Sequence, residues 1–226
     1  MAQRINDEPA VVLLHGLARG RWSMALLGRR LSKAGFRVHN LAYPTRPGSL
    51  GQAVRAVDRE IHRRGLAGRE RLNWVTYSLG GLIARSYLHS HRPDGNDRLV
   101  MMAPPNHGTE IVDSIGHLRL FRLAFGDLAT QLGTVEDSLP SRLEALRAET
   151  GVIAGNRWIN PLGRWLLASD HDGTVTVDST RLPGLADHLV LPHTHSFMMN
   201  APRAAAETAH FLRLGRFSSD SHSRAA

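Results

Sequence analysis

The stretch Thr76-Tyr77-Ser78-Leu79-Gly80-Gly81 decides how this chain is expected to fold. The apolar run 72–76 leads into it and predicts a buried strand, while residues 82–88 after it predict a helix. A serine held in a sharp turn between a strand and a helix has its hydroxyl lifted above the end of the sheet, beside the helix N-terminus. Because that position favours a developing negative charge, the pattern indicates that Ser78 is a nucleophile.

The turn departs from the usual Gly-x-Ser-x-Gly pattern at one position, because Thr76 stands where the first glycine is expected. This position faces tight packing under the turn, and threonine is at the upper end of the sizes that fit. The alternative interpretation is an ordinary strand-to-helix turn in which Ser78 caps the helix. The rest of the chain has to decide between a catalytic and a structural serine.

The composition is that of a globular protein and excludes several chemistries. The chain has 226 residues, of which 42% are apolar and 21% charged, enough for one domain over 1–217 with a sizeable core. The absence of cysteine excludes a disulfide scaffold, a thiol nucleophile and a cysteine-ligated zinc site. The net charge of +8 comes almost entirely from scattered arginines, so we expect solvated helix faces and no nucleic-acid partner. Weak attraction to anionic membrane surfaces or acidic substrates is the alternative.

We expect neither a signal peptide nor a membrane-spanning segment in this sequence. Residues 1–9 lack the apolar core of a signal peptide, and no run approaches the ~20 apolar residues that cross a bilayer. These observations predict a cytoplasmic location and no transmembrane segment. The polar residues 218–226 predict a disordered tail, and the oligomeric state is left open.

Strands alternate with helices along most of the chain, which predicts an α/β fold with a mostly parallel sheet flanked by helices. The apolar runs that predict strands are 10–14, 36–41, 72–76, 97–103, 151–155 and 188–192. The segment 109–150 interrupts this alternation with helical signals and no clear strand. It includes a capping box that begins at Ser141 and predicts a further helix. The segment is expected to be a helical insertion, either a cap over the site or crossover helices packed on the sheet.

Two further residues stand in the chain order that a serine nucleophile requires. Asp172 is expected to follow a late strand, and His195 follows the last one, so that both lie at the same edge of the sheet as Ser78. His195 would take the proton from Ser78, and Asp172 would orient the imidazole and stabilise the imidazolium. Asp172 is preferred because Gly173 frees the turn that presents its carboxylate. The competing residues are close by, namely Asp170, His188 and His193.

An oxyanion formed by attack of Ser78 needs two backbone N–H donors. Leu79, the residue after the nucleophile, is expected to supply one. Leu17, in the loop His15-Gly16-Leu17 after the first strand, is expected to supply the other. His15 is expected to orient this loop rather than to carry a proton, and His107, near the mouth of the site, has no chemical role assigned.

With these pieces in place, the chain resembles the α/β-hydrolase family, in particular its compact bacterial lipase- and esterase-like members. The segments that carry the resemblance occur in the family's order, namely 12–17, 75–81, 103–108, 172–175 and 195–197. The resemblance implies hydrolysis of carboxylic esters through an acyl-enzyme intermediate, without a cofactor. The chain lacks the first two strands of larger members, because its His-Gly loop arrives by residue 15. Some related lipases carry a structural calcium, but no ligands for one are assigned here.

Apolar side chains near the expected site suggest a substrate with an apolar acyl group. The candidates for contact with it are Phe121, Phe125, Phe197 and Met198, although the same residues would also suit a core. Three other functions stay open: an acyltransferase with the same triad, a non-catalytic binding protein of the same fold, and a metal hydrolase that uses the aspartates and histidines of 170–195.

Overall fold

Six parallel strands form the centre of the molecule in the computed structural model, which describes residues 8–46, 48–92, 96–144, 146–159 and 161–218. The strands are β1 (Ala10–Leu14), β2 (Arg37–Asn40), β3 (Asn73–Tyr77), β4 (Arg98–Met102), β5 (Glu149–Gly155) and β6 (Asp187–Leu191). Their order across the sheet is β2-β1-β3-β4-β5-β6, and each neighbouring pair is parallel. The predicted parallel α/β sheet is confirmed.

Strand β1 is a continuous apolar run because helices cover the sheet on both faces. Val12 and Leu14 of β1 point into one core cluster, and Val11 and Leu13 point into the other. This alternation follows from the two-residue period of a strand. All five residues of β1 and all five of β3 are buried, so neither face of the central strands meets solvent.

Eight α-helices lie among the described residues. They are α1 (Ala25–Lys33), α2 (Leu50–Arg63), α3 (Leu79–His91), α4 (Glu110–Ile115), α5 (Arg119–Phe125), α6 (Asp127–Thr130), α7 (Pro161–Leu166) and α8 (Pro202–Leu214). Helices α1 and α8 cover one face of the sheet, and α2 and α3 cover the other. Helix α2 begins with a capping box in which Ser49 Oγ accepts from Gln52 N and Ser49 N donates to Gln52 Oε1.

The helical insertion at about 109–150 is confirmed, since it contains the short helices α4, α5 and α6. The helix predicted from the capping box at Ser141 is wrong, because residues 141–144 form turns. Ser141 Oγ lies 3.0 Å from Ser138 Oγ and 3.3 Å from the Val135 carbonyl oxygen that accepts from it. Glu144 lies 3.5 Å from His89 Nε2. Both side chains of the expected capping box are therefore engaged elsewhere.

The connection between β5 and β6 contains α7, and the late strand expected before Asp172 is wrong. Helix α7 ends at Leu166, and Asp172 lies in a loop closed by an isolated antiparallel bridge between His171 and Thr176. The helix packs directly on this loop, because a Cβ at Gly163 would lie 3.1 Å from the Cα of Gly173.

The last described residues continue the packing of α8. Ser218 N donates to Glu207 Oε2 at 2.9 Å, and the remaining residues of the predicted tail lie outside the described residues. None of the helices in the described ranges has both the length and the apolar character required to span a membrane.

Candidate active site

Ser78 occupies a sharp turn between β3 and α3. Its backbone has φ 53° and ψ −124°, a region that non-glycine residues rarely adopt and that indicates strain. Its N–H donates to the Met102 carbonyl of β4 at 2.9 Å, which fixes the turn to the sheet. Its side chain makes no capping hydrogen bond to α3, so the alternative of a helix-capping serine is not what the structure contains.

Two glycines let the neighbouring chain segments approach this turn closely. A Cβ at Gly80 would lie 2.6 Å from the Leu14 carbonyl oxygen and 2.8 Å from that of His15. A Cβ at Gly16 would lie 2.9 Å from the Tyr77 ring and 3.2 Å from the Cβ of Ser78. The loop after β1 therefore packs directly against Ser78 and the first turn of α3.

Thr76, the departure from the expected glycine, is accommodated beneath the turn. Its side chain is completely buried, and a Cβ built at Gly81 would lie 3.5 Å from its Oγ1. This is an ordinary van der Waals distance, so the threonine fits beneath the turn without a clash. The Thr76 hydroxyl has no hydrogen-bond partner among the described residues.

The structure brings His195 to Ser78 and Asp172 to His195. The distance from Ser78 Oγ to His195 Nε2 is 3.1 Å, and that from His195 Nδ1 to Asp172 Oδ2 is 2.7 Å. The backbone of His195 is held as well. Its N–H donates to the Asp172 carbonyl at 2.9 Å, and its carbonyl accepts from Tyr77 Oη at 2.8 Å. These contacts leave the ring little freedom to turn away from the serine.

The hydrogen bonds of Asp172 define which nitrogen of His195 carries a proton. Asp172 is only 2% exposed, and its Oδ1 accepts from the backbone N–H groups of Thr174 and Val175 at 2.9 and 2.8 Å. A carboxylate oxygen only accepts hydrogen bonds, so it is matched to these two N–H donors. His195 Nδ1 is then the donor to Oδ2, and the neutral imidazole presents the lone pair of Nε2 to Ser78.

The competing side chains lie elsewhere. Asp170 is exposed. His188 Nε2 is 2.9 Å from Thr180 Oγ1, and His193 is half-buried in a position where desolvation lowers its pKa. Within the described ranges, no group of three or more His, Asp or Glu side chains is arranged to hold a metal ion.

The loop expected to complete an oxyanion hole is held by an aromatic stack. The rings of His15 and Tyr43 are parallel with centroids 4.2 Å apart, and Tyr43 Oη donates to the His15 carbonyl. Burial lowers the pKa of His15, which favours a neutral, orienting side chain. Leu79 is the first residue of α3, so its N–H has no acceptor within the helix. Leu17 is half-buried on the core beside this turn.

The four residues predicted to contact substrate are not brought together. Phe121 is half-buried, with its ring 4.9 Å from that of the exposed Phe125, and Phe197 is exposed beside His195. Met198 has no exposed surface and packs in the core cluster of α1 and α8, so it is not available to a substrate in this conformation.

Helix α5 lies at the carboxyl edge of the sheet and buries none of its own residues. Arg46, in the loop after β2, donates to the Ala124 carbonyl at the end of α5. At the other end of the insertion, Thr109 Oγ1 donates to the Thr174 carbonyl beside Asp172. Leu120 and Leu123 of α5 are 78% and 79% exposed. The insertion thus contacts chain segments on both sides of the site, and its helix α5 exposes apolar side chains.

Sequence reasoning missed the two tyrosines that hold the site. Tyr77 precedes the serine and fixes the backbone of His195, and Tyr43 fixes the loop at His15. The position of Tyr77 next to Ser78 was the only available signal, and nothing near Tyr43 in the sequence indicates its partner.

The fold is similar to that of solved lipases and esterases. Bacillus licheniformis lipase BlEst2 in mature form aligns with a TM-score of 0.71 and 16% identity over 92% of each chain. Legionella pneumophila phospholipase PlaB aligns with a TM-score of 0.66 and 15% identity over 96% of this chain and 61% of PlaB. The metagenomic carboxyl esterase MGS0156 gives 0.64 and 17% over 83% of this chain and 64% of the esterase. This chain thus spans less than two thirds of the latter two proteins.

These similarities define the architecture as an α/β-hydrolase fold. No protein-family model matches the sequence, and comparison with curated proteins gives no match. At identities of 15 to 17% the structural likeness concerns the fold, and the chemistry has to be argued from the site itself.

Proposed function

We propose that this protein is a serine hydrolase that cleaves carboxylic esters through an acyl-enzyme intermediate on Ser78. The observation that carries the proposal is the chain of two hydrogen bonds from Ser78 Oγ to His195 Nε2, at 3.1 Å, and from His195 Nδ1 to Asp172 Oδ2, at 2.7 Å. The solved structures of similar fold are themselves named lipases, esterases and a phospholipase.

In the first step, Ser78 Oγ attacks the ester carbonyl carbon while its proton passes to His195 Nε2. The carbonyl oxygen becomes an oxyanion, and the N–H groups of Leu79 and Leu17 donate to it. The intermediate then collapses, the bond to the alcohol oxygen breaks, and His195 gives its proton to the departing alcohol. Asp172 stays ionised throughout and stabilises the imidazolium.

In the second step, a water molecule attacks the acyl group on Ser78 while His195 takes one of its protons. Collapse of this intermediate breaks the bond to Ser78 Oγ, which recovers its proton from His195. The products are a carboxylic acid and the free enzyme. An alcohol in place of water would make the same chain an acyltransferase, and the chemistry at Ser78 would be unchanged.

The substrate class is proposed from the surface around the site. The exposed Leu120 and Leu123 of α5 and the exposed Phe197 next to His195 would contact an apolar acyl group. Removing such apolar area from water contributes roughly 25 cal/mol per Å². We therefore expect esters of longer acyl chains to be better substrates than acetate esters.

A panel of p-nitrophenyl esters of increasing acyl length tests both parts of the proposal. The unmodified protein is expected to hydrolyse them with kcat/KM rising from acetyl to medium chains. Ser78→Ala is expected to lower kcat by about 10⁴ to 10⁶, while circular dichroism and thermal melting show an unchanged fold.

Equal activity of the unmodified and Ser78→Ala proteins would overturn the assignment. Activity that survives a serine-directed phosphonate but is lost with a chelator would favour metal-dependent hydrolysis instead. Addition of a competing alcohol, with product analysis, separates hydrolysis from acyl transfer.

A further inference from the structure

A cavity of about 380 Å³ lies between α3 and the segments that precede β5 and β6. None of its lining residues belongs to the Ser78–His195–Asp172 chain or to the loop 15–17. Most of its wall is apolar and comes from the segments before β5 and β6. These side chains are Pro140, Leu143, Leu146, Leu182, Pro183 and Leu185.

One cationic side chain, Arg85 of α3, lines this apolar cavity. Arg85 is only 3% exposed, and one of its terminal nitrogens donates to the Leu143 carbonyl at 2.8 Å. The other terminal nitrogen makes only long contacts with Asn106, at 3.4 Å to Oδ1 and 3.5 Å to the carbonyl oxygen. The Nε atom is buried and has no partner among the described residues.

The positive charge of Arg85 is therefore buried without an opposite charge. No acidic side chain of the described residues affects it, and desolvation alone lowers its pKa to about 10. A buried cation is costly unless it is paired and hydrogen-bonded. An unpaired buried arginine beside an apolar cavity of this size is what a site for an amphiphilic anion requires.

We propose that this cavity binds an organic carboxylate with an apolar tail. The carboxylate accepts a hydrogen bond from the terminal nitrogen of Arg85 that makes only long contacts with Asn106, and the tail lies along the leucine side chains. A monoanion fits better than a phosphate dianion, because Arg85 is the only Lys or Arg among the lining residues and most of the remaining wall is apolar. This site goes beyond the proposed hydrolysis and does not require Ser78 to be active.

Isothermal titration of the Ser78→Ala protein with sodium octanoate tests the site without turnover. Octanoate is expected to bind, whereas acetate, inorganic phosphate and 1-octanol are expected to bind at least about tenfold more weakly, since each lacks the tail or the matching charge. Adding Arg85→Met is expected to weaken octanoate about tenfold or more, because it removes a charge-assisted hydrogen bond while keeping the apolar volume.

A second variant keeps the test decisive, because Arg85 also holds the Leu143 carbonyl and its loss could impair folding. Leu182→Trp fills the cavity and leaves Arg85 in place, so it too is expected to weaken octanoate. Circular dichroism and thermal melting check that both variants are folded.

Octanoate binding that is unchanged in a folded variant would place the ligand elsewhere, for instance in the cleft at Ser78, and would overturn the proposal. So would equal affinity for octanoate and 1-octanol, or the absence of octanoate binding.

Discussion

Thr76, beneath the nucleophile, is a position at which the side chain lowers the stability of the fold. Thr76 is completely buried, and its hydroxyl lacks a hydrogen-bond partner in the described part of the chain. A buried hydroxyl that makes no hydrogen bond costs about 1–3 kcal/mol. Thr76→Val keeps the branched shape and removes the hydroxyl. We expect it to stabilise the protein by about 1 kcal/mol, seen as a rise in Tm of about 2–4 °C, with ester hydrolysis unchanged.

Thr76→Ser is the matched control, since it keeps the hydroxyl and removes the methyl group. This variant is expected to be less stable than the unmodified protein, because it leaves a small cavity under the turn. A lower Tm for Thr76→Val would mean that the hydroxyl does form a hydrogen bond, and the explanation given for this position would be wrong.

The residues of the candidate site could be predicted to different degrees. Ser78 and His195 could be chosen because each follows a strand, and the ends of parallel strands converge at one edge of the sheet. Asp172 could be chosen only from its place in the chain order, since the strand expected before it does not form. Met198 could not be judged, because it lies in a short 3₁₀ helix (His195–Asn200) and the sequence does not tell which side of that helix faces the core. Tyr77 and Arg85 act through partners far away in the chain, and local sequence carries no signal for such contacts.

Helix α3 begins at Leu79, and its second residue, Gly80, packs tightly against the end of β1. A Cβ there would lie 2.6 Å from the Leu14 carbonyl oxygen, a distance that backbone atoms relieve only by moving. Gly80→Ala is expected to push the end of β1, and the loop 15–17 with it, away from Ser78. Because a displacement of about 1 Å at a catalytic centre costs about 10²-fold, kcat/KM for p-nitrophenyl esters is expected to fall by about that factor.

Gly68→Ala is the matched control for this prediction, because nothing lies within 4 Å of the Cβ it would add and Gly68 needs no positive φ. It is expected to leave both activity and Tm unaltered. If Gly80→Ala had full activity and an unchanged Tm, the close contact between α3 and β1 would not be required for the site.

At the level of elements, the sequence predicts the sheet better than its connections. The strand bounds agree within two residues, and the agreement is complete for β1, which is buried on both faces and apolar throughout. The capping box at Ser141 and the late strand before Asp172 were wrong, because each local pattern is overridden by a tertiary contact. Ser141 bonds back to Ser138 and Val135, and α7 packs on the loop at Gly173.

Across the whole molecule, both edge strands of the sheet carry a partly buried histidine with a low pKa. On β2, desolvation and the neighbouring charges of Arg37, Arg64 and Arg69 lower the pKa of His39 to about 4. Its Nε2 is buried without a partner among the described residues. The imidazole is therefore neutral in the folded protein at pH 5 to 7.

On the opposite edge of the sheet, His188 of β6 also has a lowered pKa. Desolvation and the charge of Arg181 lower its pKa to about 4, against the opposing effect of Asp187 and Asp178. Its Nε2 hydrogen-bonds with Thr180 Oγ1 at 2.9 Å. Protonation would thus place an added positive charge at each edge of the sheet, in a chain whose net charge is already +8.

Because of these two histidines, we expect acid to lower the stability of the fold at pH values well above those at which carboxylates titrate. The unfolded chain has histidine pKa values near 6.5, so between pH 6.5 and 4 it binds more protons than the folded protein, and stability falls as the pH is lowered through that window. We expect Tm to be lower at pH 5 than at pH 7.

The double variant His39→Gln/His188→Gln should reduce that difference in Tm, whereas His117→Gln, which changes an exposed imidazole, should leave it unaltered. An equal difference in all three proteins would show that other groups set the acid response.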